Sequence, residues 1–450
     1  MSSLRRDQSL QMLKDVYDKV DKEYYDGTFH GVNFQARYDE AVQRVRAADS
    51  VSSALGVIAW FLDGLNDSHT FFIPPPRPYL VQDGWEASFI GEDCYVTAIK
   101  SGSDAASKGL KPGDQVLAIE GFHPTRANWW KLEYAFHLLS PRSGMKLVLV
   151  SPGGQPREIT VMSQVRELPK TYNFGNGFDA WAVIRQVQND EERNLPRTAE
   201  TGDVLVWKLP EFLISDDQID KFLQKANNHK AVIIDLRGNP GGAEENLARL
   251  LGGFFDHDVE IADRTERKQA KPLVATSRGG HAFSGKVVVL VDSRSASAAE
   301  LCARVVQLQK RGTVIGDRSA GAVMEARHFS FAQGVMLGTA LPYGVEVTVA
   351  DLKMTDGKSL EHNGVIPDEI LLPSAEDWRR APIHNWRARC SSPESLCPRL
   401  RRGSFFQFAG KIAQPQPGGW PGSRGFETRV SSSLRAADFS QARIKNMLIE

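Results

Sequence analysis

The sequence predicts an α/β protein built from several domains. A chain of 450 residues is too long for one ordinary hydrophobic core, and its 41% hydrophobic content is ample for packed interiors. From about Thr201, short apolar runs alternate with helix-like stretches, the pattern of parallel strands joined by right-handed helical crossovers. The segments before this one have other periodicities and therefore predict two further regions.

The first region, residues 1–73, is predicted to be helical. Its segment "LQMLKDVYDKVDKEYY" carries apolar side chains three and four positions apart, as on one face of an amphipathic helix. These side chains are Leu10, Leu13, Val16, Tyr17 and Val20.

The second region, residues 80–163, is predicted to be a small, mostly β domain. The segment "PPPRPYL" before it breaks helical periodicity and indicates a linker. Beyond the linker, "CYVTAI" and "KLVLV" are typical of strands, and "GLKPGDQVLAIEG" lies between them.

The third region, residues 170–375, is predicted to be the α/β core. The runs "AVIIDL", "KVVVLVD" and "TVIGD" indicate strands covered on both faces, and "EENLARLLGGFF" and "AAELCARVVQLQKR" indicate helices. Residues 376–450 are rich in Arg, Pro, Gly and Ser with little periodicity, so we expect a disordered tail.

Composition excludes several classes of function. Lys+Arg and Asp+Glu both total 55, so no net charge favours nucleic acid or an anionic membrane. No apolar run is long enough to span a membrane, and the start has no signal-peptide pattern. We therefore expect a cytoplasmic protein, or a periplasmic or secreted one if the true start lies upstream. With four cysteines, no zinc-type cysteine spacing and no H-E-x-x-H, the sequence predicts neither metal nor organic cofactor.

A serine-rich turn is the first candidate for chemistry. In "VVVLVDSRSASAAELCAR", Ser297 stands where a predicted strand gives way to a predicted helix. A helix N-terminus offers unpaired N–H groups and favours negative charge, so a hydroxyl there suits acyl transfer. The alternative is simple helix capping, for which serine is a preferred residue.

A glycine-rich turn follows the predicted strand in "VIIDLRGNPGG". Glycines from Gly238 to Gly242 allow backbone N–H groups to approach a ligand closely. A phosphate-binding loop is excluded because no Gly-Lys-Ser/Thr follows and the G-x-G-x-x-G order is absent. A plain strand-to-helix turn remains the alternative.

Together, "VIIDLRGNPGG", "SASAAE" and "DGKSLEHNGVIPDEI" resemble the tail-specific (C-terminal processing) serine peptidase family, and "GLKPGDQVLAIEG" resembles the signature of its PDZ domain. The resemblance implies a crotonase/ClpP-like α/β core after a PDZ-like domain over residues 80–163. It implies Ser297 as the nucleophile, with the N–H groups of Gly242 and Ala298 as the oxyanion hole. Ser293 and Ser295 are interpreted as turn formers.

The general base is predicted by comparing two branches of that family. The branch with a Ser-Lys dyad has its lysine where this chain has Ala322, and no lysine occurs from Arg311 to Leu352. The branch similar to the tricorn protease core uses a Ser-His pair, which matches Ser68 and His69 in "LNDSHTFF". A histidine is suited to accept a proton near neutral pH.

An acidic residue would orient the predicted base. Glu361 matches the acidic member of the tricorn-like branch, and Glu325 and Glu346 are weaker candidates.

The resemblance also implies a protein or peptide substrate, which the PDZ-like domain would bind at a sheet edge. Trp85 and Phe89 are predicted either to shape its peptide groove or to fill its core; the loop near them lacks the usual glycine-rich form for binding a terminal carboxylate. Two alternatives to a peptidase stay open: a peptide-binding protein without activity, and an esterase or small-ligand binder on the same core. A homo-oligomer is also left open.

Overall fold

The structure is a computed structural model that describes residues 1–77, 79–167, 196–334 and 340–373. The predicted disordered tail, residues 376–450, and the start of the predicted core up to residue 195 lie outside the described residues. Helices and strands are numbered below in chain order within those residues.

Three helices form the N-terminal region: α1 (Ser3–Glu23), α2 (Phe34–Ala47) and α3 (Val51–Asp63). Each begins after a polar residue whose side chain accepts a hydrogen bond from a first-turn N–H: Ser2, Asn33 and Ser50. The predicted apolar stripe of α1 is largely confirmed, because Leu13, Val16 and Val20 are fully buried. Helix α3 is buried around most of its circumference and is thus the centre of this cluster.

The next region is a five-stranded antiparallel sheet in the order β3-β4-β5-β6-β7. Its strands are β3 (Trp85–Ile90), β4 (Asp93–Ile99), β5 (Gln115–Ile119), β6 (Gly144–Val150) and β7 (Arg157–Met162). A short helix, α4 (Asp104–Ser107), follows β4, and α5 (Trp129–Glu133) continues as a π-helix over Tyr134–Leu139. We call residues 84–162 the β module. A separate ribbon, β2 (Tyr79–Gln82) with β8 (Gln164–Glu167), lies at its two chain ends.

The predicted α/β core is built on a six-stranded sheet in the order β18-β15-β14-β11-β10-β9. Its strands are β9 (Arg197–Thr201), β10 (Val204–Lys208), β11 (Ala231–Asp235), β14 (Lys286–Val291), β15 (Gly312–Gly316) and β18 (Glu369–Ile370). All neighbours pair in parallel except β9 with β10. The crossover helices are α6 (Asp216–Ala226), α7 (Glu244–Gly252) and α8 (Ala298–Leu308). The apolar runs of the sequence are therefore buried parallel strands, as predicted.

A second five-stranded sheet was not predicted. It is antiparallel, with order β1-β17-β12-β13 and with β16 paired to β17. Its strands are β1 (Phe71–Ile73), β12 (Val259–Glu266), β13 (Ala270–Ala275), β16 (Met324–Gly334) and β17 (Ala340–Lys353). Because β1 comes from the N-terminal region and β17 from the core, this sheet brings the two ends of the described chain together.

The β module contacts the core through the turns that follow β14 and β15. Ser293 donates to the carbonyl oxygen of Phe89 at 2.7 Å, and Gly91 N–H donates to Asp317 at 2.9 Å. Arg126 donates to Asp317 at 2.8 Å and to the carbonyl oxygens of Gly91 and Arg318 at 2.7 and 2.9 Å. These contacts place the end of β3 beside the carboxyl ends of the core strands.

The module also contacts the N-terminal region through its long helix. The Tyr134 hydroxyl donates to the carbonyl oxygen of Phe72 in β1 at 2.5 Å, and Lys131 pairs with Asp63 at the end of α3. The side chains of Tyr134 and Leu138 are buried in the N-terminal hydrophobic cluster. The β module therefore contacts both the α/β core and the N-terminal region.

In the described ranges, no helix is long and apolar enough to cross a bilayer.

Replacing Arg126 tests the contact between module and core. Arg126→Ala leaves the Asp317 carboxylate, whose side chain is 10% exposed, without its cation, so we expect a loss of about 3 kcal/mol in the free energy of unfolding. The measurement is urea denaturation. Arg142→Ala is the control, because Arg142 pairs with Glu120 while 43% exposed and should cost less than about 1 kcal/mol. Equal losses in the two variants would contradict the prediction.

Candidate active site

Three turns meet at the carboxyl edge of the parallel sheet. They follow the neighbouring strands β11, β14 and β15 and contain Gly242, Ser297 and Ala322, respectively. Parallel strands end at the same edge of a sheet, and ligands bind there in α/β folds. The two motifs singled out in the sequence therefore lie next to each other.

The glycine turn after β11 is fixed by Asn239. Its side-chain oxygen accepts from Gly241 N–H at 2.8 Å, and its backbone oxygen accepts from Ala296 N–H in the serine turn at 2.9 Å. Phe212 donates to the oxygen of Gly241 at 2.7 Å and accepts from Ala243 N–H at 3.1 Å. The turn is thus held on both sides of Gly242.

Only glycine fits at Gly241. Its φ is +103°, and a Cβ there would stand 2.6 Å from the Cβ of Ser297 and 3.1 Å from the amide nitrogen of Ala298. The glycine turn therefore lies so close to the serine turn that no side chain fits at position 241.

The backbone of Ser297 is strained. Its φ is +52° and its ψ is −120°, values that few non-glycine residues adopt and that cluster at functional sites. The Ser297 N–H donates to the oxygen of Ala322 at 2.9 Å and to the Glu300 carboxylate at 3.1 Å. These bonds hold the nucleophile candidate at the start of α8.

Two backbone N–H groups beside Ser297 have no acceptor among the described residues. Neither Gly242 N–H nor Ala298 N–H donates a hydrogen bond within the described part of the chain, although the N–H groups of Gly241, Ala243 and Ala299 all do. Such paired donors can stabilise an oxyanion. They are the two that the sequence resemblance implied.

His69 is held by the two other predicted residues. Its Nδ1 lies 2.7 Å from the Ser68 hydroxyl, and that hydroxyl donates to Glu361 Oε2 at 2.9 Å. Glu361 Oε1 also accepts from Ser68 N–H at 2.8 Å. The carboxylate thus acts on the imidazole through a serine hydroxyl rather than directly.

This arrangement fixes the tautomer of the imidazole. A hydroxyl has one proton, and the Ser68 hydroxyl gives it to Glu361, so Nδ1 of His69 must be the donor in the 2.7 Å contact. In the neutral ring, Nε2 then carries the lone pair. His69 is therefore prepared to accept a proton at Nε2.

The loop that carries His69 is anchored by Asp67, a residue that the sequence analysis did not single out. Its buried carboxylate accepts from the N–H groups of His69 and Thr70 and from the hydroxyls of Tyr24 and Thr348, at 2.6–2.9 Å. The position of Asp67 two residues before His69 is the usual geometry of an Asx-turn and could have identified it.

Ser297 and His69 belong to one network but are not directly bonded. Ser297 N–H binds the oxygen of Ala322, and the next residue, Val323, donates to Glu361 Oε2 at 2.8 Å. Glu361 then leads through Ser68 to His69. Among the hydrogen bonds of the described residues, none joins the Ser297 hydroxyl to the His69 ring.

The weaker candidates for the acidic residue bind other partners. Glu325 forms a two-point pair with Arg264, and Glu346 contacts Nδ1 of His328 at 2.9 Å.

Three other predictions can be located in the fold. Phe89 is 4% exposed and packs in the module core against Trp129, so it fills core, whereas Trp85 is half-buried. Ser295 is a turn former, since its hydroxyl accepts from Asp292 N–H. The hydroxyl of Ser293 instead binds Phe89 and so joins the module to the core.

Glu300 is a second residue at the site that the sequence analysis did not single out. It is fully buried, and burial raises the pKa of its carboxyl to about 7, although four hydrogen bonds act in the opposite direction. The capping-box spacing Ser-x-x-Glu from Ser297 to Glu300 predicts the observed bond to the Ser297 N–H. This signal was present in the sequence.

Part of the chain matches a known peptidase family. Residues 203–371 match the model of Peptidase family S41. The chain is 26% identical over 357 residues to the tail-specific protease of Haemophilus influenzae, covering 74% of this chain and 47% of that protein. It is 24% identical over 387 residues to the carboxyl-terminal-processing protease of Synechocystis sp., covering 82% of each. The chain thus spans about half the length of the first relative and most of the second.

The fold also matches a solved structure. Mature CPAF has a TM-score of 0.61 at 16% sequence identity, with 86% of this chain and 97% of that chain covered. At this identity the likeness concerns the fold alone.

Replacing Gly241 tests the close approach of the two turns. In Gly241→Ala the new Cβ meets the Cβ of Ser297 at 2.6 Å, so we expect Ser297 to shift and its labelling by a fluorophosphonate probe to slow by about 100-fold. Gly238→Ala is the control: φ there is also positive, but the nearest atom, on Arg294, is 3.7 Å away. The control should lose about 1 kcal/mol of stability and keep its labelling rate. Unchanged labelling in Gly241→Ala would contradict the contact.

Proposed function

We propose that this chain, whose residues 203–371 match the model of Peptidase family S41, is a serine peptidase acting on protein or peptide substrates. Ser297 is the nucleophile, His69 the general base and Glu361 the acidic residue, which acts through Ser68. The observation that carries the proposal is the relay His69 Nδ1–Ser68 Oγ–Glu361, which leaves Nε2 as the proton acceptor.

The reaction begins with attack by Ser297 Oγ on the carbonyl carbon of a peptide bond. A C–O bond forms as His69 Nε2 takes the hydroxyl proton, and the carbonyl π electrons move to the oxygen. Charge that develops on the imidazole is stabilised through the Ser68 hydroxyl by the Glu361 carboxylate. Ser68 therefore orients the base and transmits the charge of Glu361 to it.

The oxyanion of the tetrahedral intermediate accepts hydrogen bonds from the N–H groups of Gly242 and Ala298. A donor of this kind contributes about 2.7–4 kcal/mol of transition-state stabilisation. When the C–N bond breaks, His69 returns its proton to the departing amine nitrogen. Water, deprotonated by His69, then attacks the acyl-enzyme and releases the carboxylic acid and Ser297.

Ala322 excludes a Ser-Lys mechanism as the family's other branch uses it. At this position the backbone takes part instead: its oxygen accepts from Ser297 N–H at 2.9 Å and its N–H donates to Glu300 at 3.0 Å. An alanine is sufficient for both bonds.

We further propose that residues 80–163 form a PDZ-like peptide-binding domain and that the described residues of the range 170–375, namely 196–334 and 340–373, belong to a crotonase/ClpP-like core. The module's antiparallel sheet with β3 at one edge supports the first assignment, since peptides add to exposed sheet edges. Trp85, half-buried at the start of β3, is the proposed peptide contact. The parallel sheet with crossover helices supports the second assignment.

The proposal is tested with two measurements on the full chain. A fluorophosphonate probe should label Ser297 in the wild type and fail to label Ser297→Ala. Turnover of an unstructured protein such as casein is then compared with turnover of a short-chain ester. Labelling without cleavage of any peptide, but with ester turnover, would replace the peptidase by an esterase; no labelling would leave a peptide-binding protein.

The catalytic residues should act as a unit. Ser297→Ala and His69→Ala should each remove nearly all peptide hydrolysis, and the double variant should be little slower than either single variant. Ser68→Ala breaks the relay and should lower kcat by about 100-fold with little change in KM. His281→Ala, which alters a histidine outside the network, is the control. Full activity in His69→Ala would reject the proposed base.

A further inference from the structure

Glu300 is a buried carboxylate surrounded entirely by hydrogen-bond donors. Oε1 accepts from the Ser319 hydroxyl at 2.6 Å and from Gly321 N–H at 2.8 Å. Oε2 accepts from the N–H groups of Ala322 and Ser297 at 3.0 and 3.1 Å. Within the described part of the chain no Lys, Arg or His pairs with this carboxylate, whose residue is 0% exposed.

These donors come from two different segments. Ser297 belongs to the nucleophile turn, and the other three donors belong to residues 319–322, which lead from β15 into β16. The next residue, Val323, donates to Glu361, whose carboxylate also accepts from Ser68. Glu300 therefore holds the Ser297 turn at a fixed distance from Val323, the residue that binds Glu361.

The hydrogen-bonding pattern favours the ionised carboxylate, because three of the four partners are backbone N–H groups that can only donate. All four neighbours point an N–H or O–H at Glu300, and an ionised carboxylate is a pure acceptor. A neutral carboxyl is a weaker acceptor than a carboxylate, so protonation of Glu300 would weaken its bonds to these N–H groups and loosen the link between the two segments.

We propose that Glu300 is a positioning residue for the reaction: its carboxylate clamps the Ser297 turn to residues 319–323 and so holds the nucleophile in register with the Glu361–Ser68–His69 relay. This inference rests on the proposed function. It assigns to Glu300 no contact with substrate and no transfer of a proton.

The pH dependence of the clamp is part of its signature. Burial raises the pKa of Glu300 to about 7 despite the four hydrogen bonds, so the clamp should weaken as the pH falls through that value. The titratable groups nearest along the packed segments are Glu361, bonded to Val323 N–H, and His362, whose N–H donates to Gly321. A neutral His69 is also needed for activity. The contribution of Glu300 to the pH profile is therefore identified with variants that change only Glu300 or one of its hydrogen bonds.

The first test is Glu300→Gln in the full-length protein. The amide keeps the size of the side chain but points an NH₂ group at two of the donors, so the two segments should shift. We expect kcat to fall by about 100-fold while KM stays nearly constant, and labelling of Ser297 by the fluorophosphonate to slow in proportion. Circular dichroism and thermal melting establish that the variant is folded.

The second test is Ser319→Ala, which removes one donor from Glu300 and leaves its bonds to Ser297 and Ala322 in place. Losing a hydrogen bond to the charged form should raise the pKa of Glu300 further. The acid limb of the kcat profile should therefore move to higher pH by about half a unit to one unit. A residue that merely supports the fold would not move this limb.

The outcomes separate the inference from the proposed function. If wild-type Ser297 is not labelled, the proposed function fails and the inference fails with it. If the wild type is labelled and folded Glu300→Gln retains wild-type kcat, the inference alone is overturned. If Glu300→Gln does not fold, Ser319→Ala decides: a shifted acid limb supports the clamp, and an unmoved limb overturns it.

Discussion

The segment that joins β15 to β16 is held by two carboxylates through consecutive backbone N–H groups. Ala322 N–H donates to Glu300, which also binds the Ser297 turn, and Val323 N–H donates to Glu361, which also binds Ser68. Every residue with a proposed role in proton transfer is tied to this segment on one side or the other. At Ala322 and Val323 the segment acts through its backbone, so its geometry there depends on hydrogen bonding more than on the side chain at Ala322.

Keeping the buried Glu300 carboxylate ionised lowers the stability of the folded protein. Burial raises the pKa of Glu300 to about 7, above the 4.5 of an exposed glutamate, so the ionised form is disfavoured in the folded protein. Its contribution to stability is fully present below pH 4.5 and is lost as the pH rises through about 7. The three backbone N–H donors nevertheless bind the charged form more strongly. Stability and correct geometry of the site therefore have opposite pH preferences, as expected where function rather than packing selects a buried charge.

Local patterns in the sequence were sufficient for much of the architecture. The apolar runs and helical stripes identified the buried strands of the core, and the glycine and serine turns were found because they interrupt those runs. The antiparallel sheet was missed because pairing of β1 with β17 joins segments far apart in the chain, and a local sequence pattern does not show which distant segment a strand pairs with. For the same reason, the contact between Ser68 and Glu361 could not be derived from local patterns. Phe89 was ambiguous for another reason: an apolar residue on an edge strand can face a groove or a core, and only the contact with Trp129 decides between them.

The path from His69 to Glu361 also has a consequence for biosynthesis. Chains emerge from the ribosome with the N-terminal end first, and early regions fold before later ones. The imidazole and its serine are made near the beginning, the nucleophile much later, and the carboxylate that Ser68 needs later still. A nascent or truncated chain that stops before residue 361 therefore contains Ser297, Ser68 and His69 but lacks the Glu361 carboxylate that orients Ser68 and His69. Under the proposed mechanism, the order of synthesis thereby delays hydrolytic competence until nearly the whole described chain has been translated.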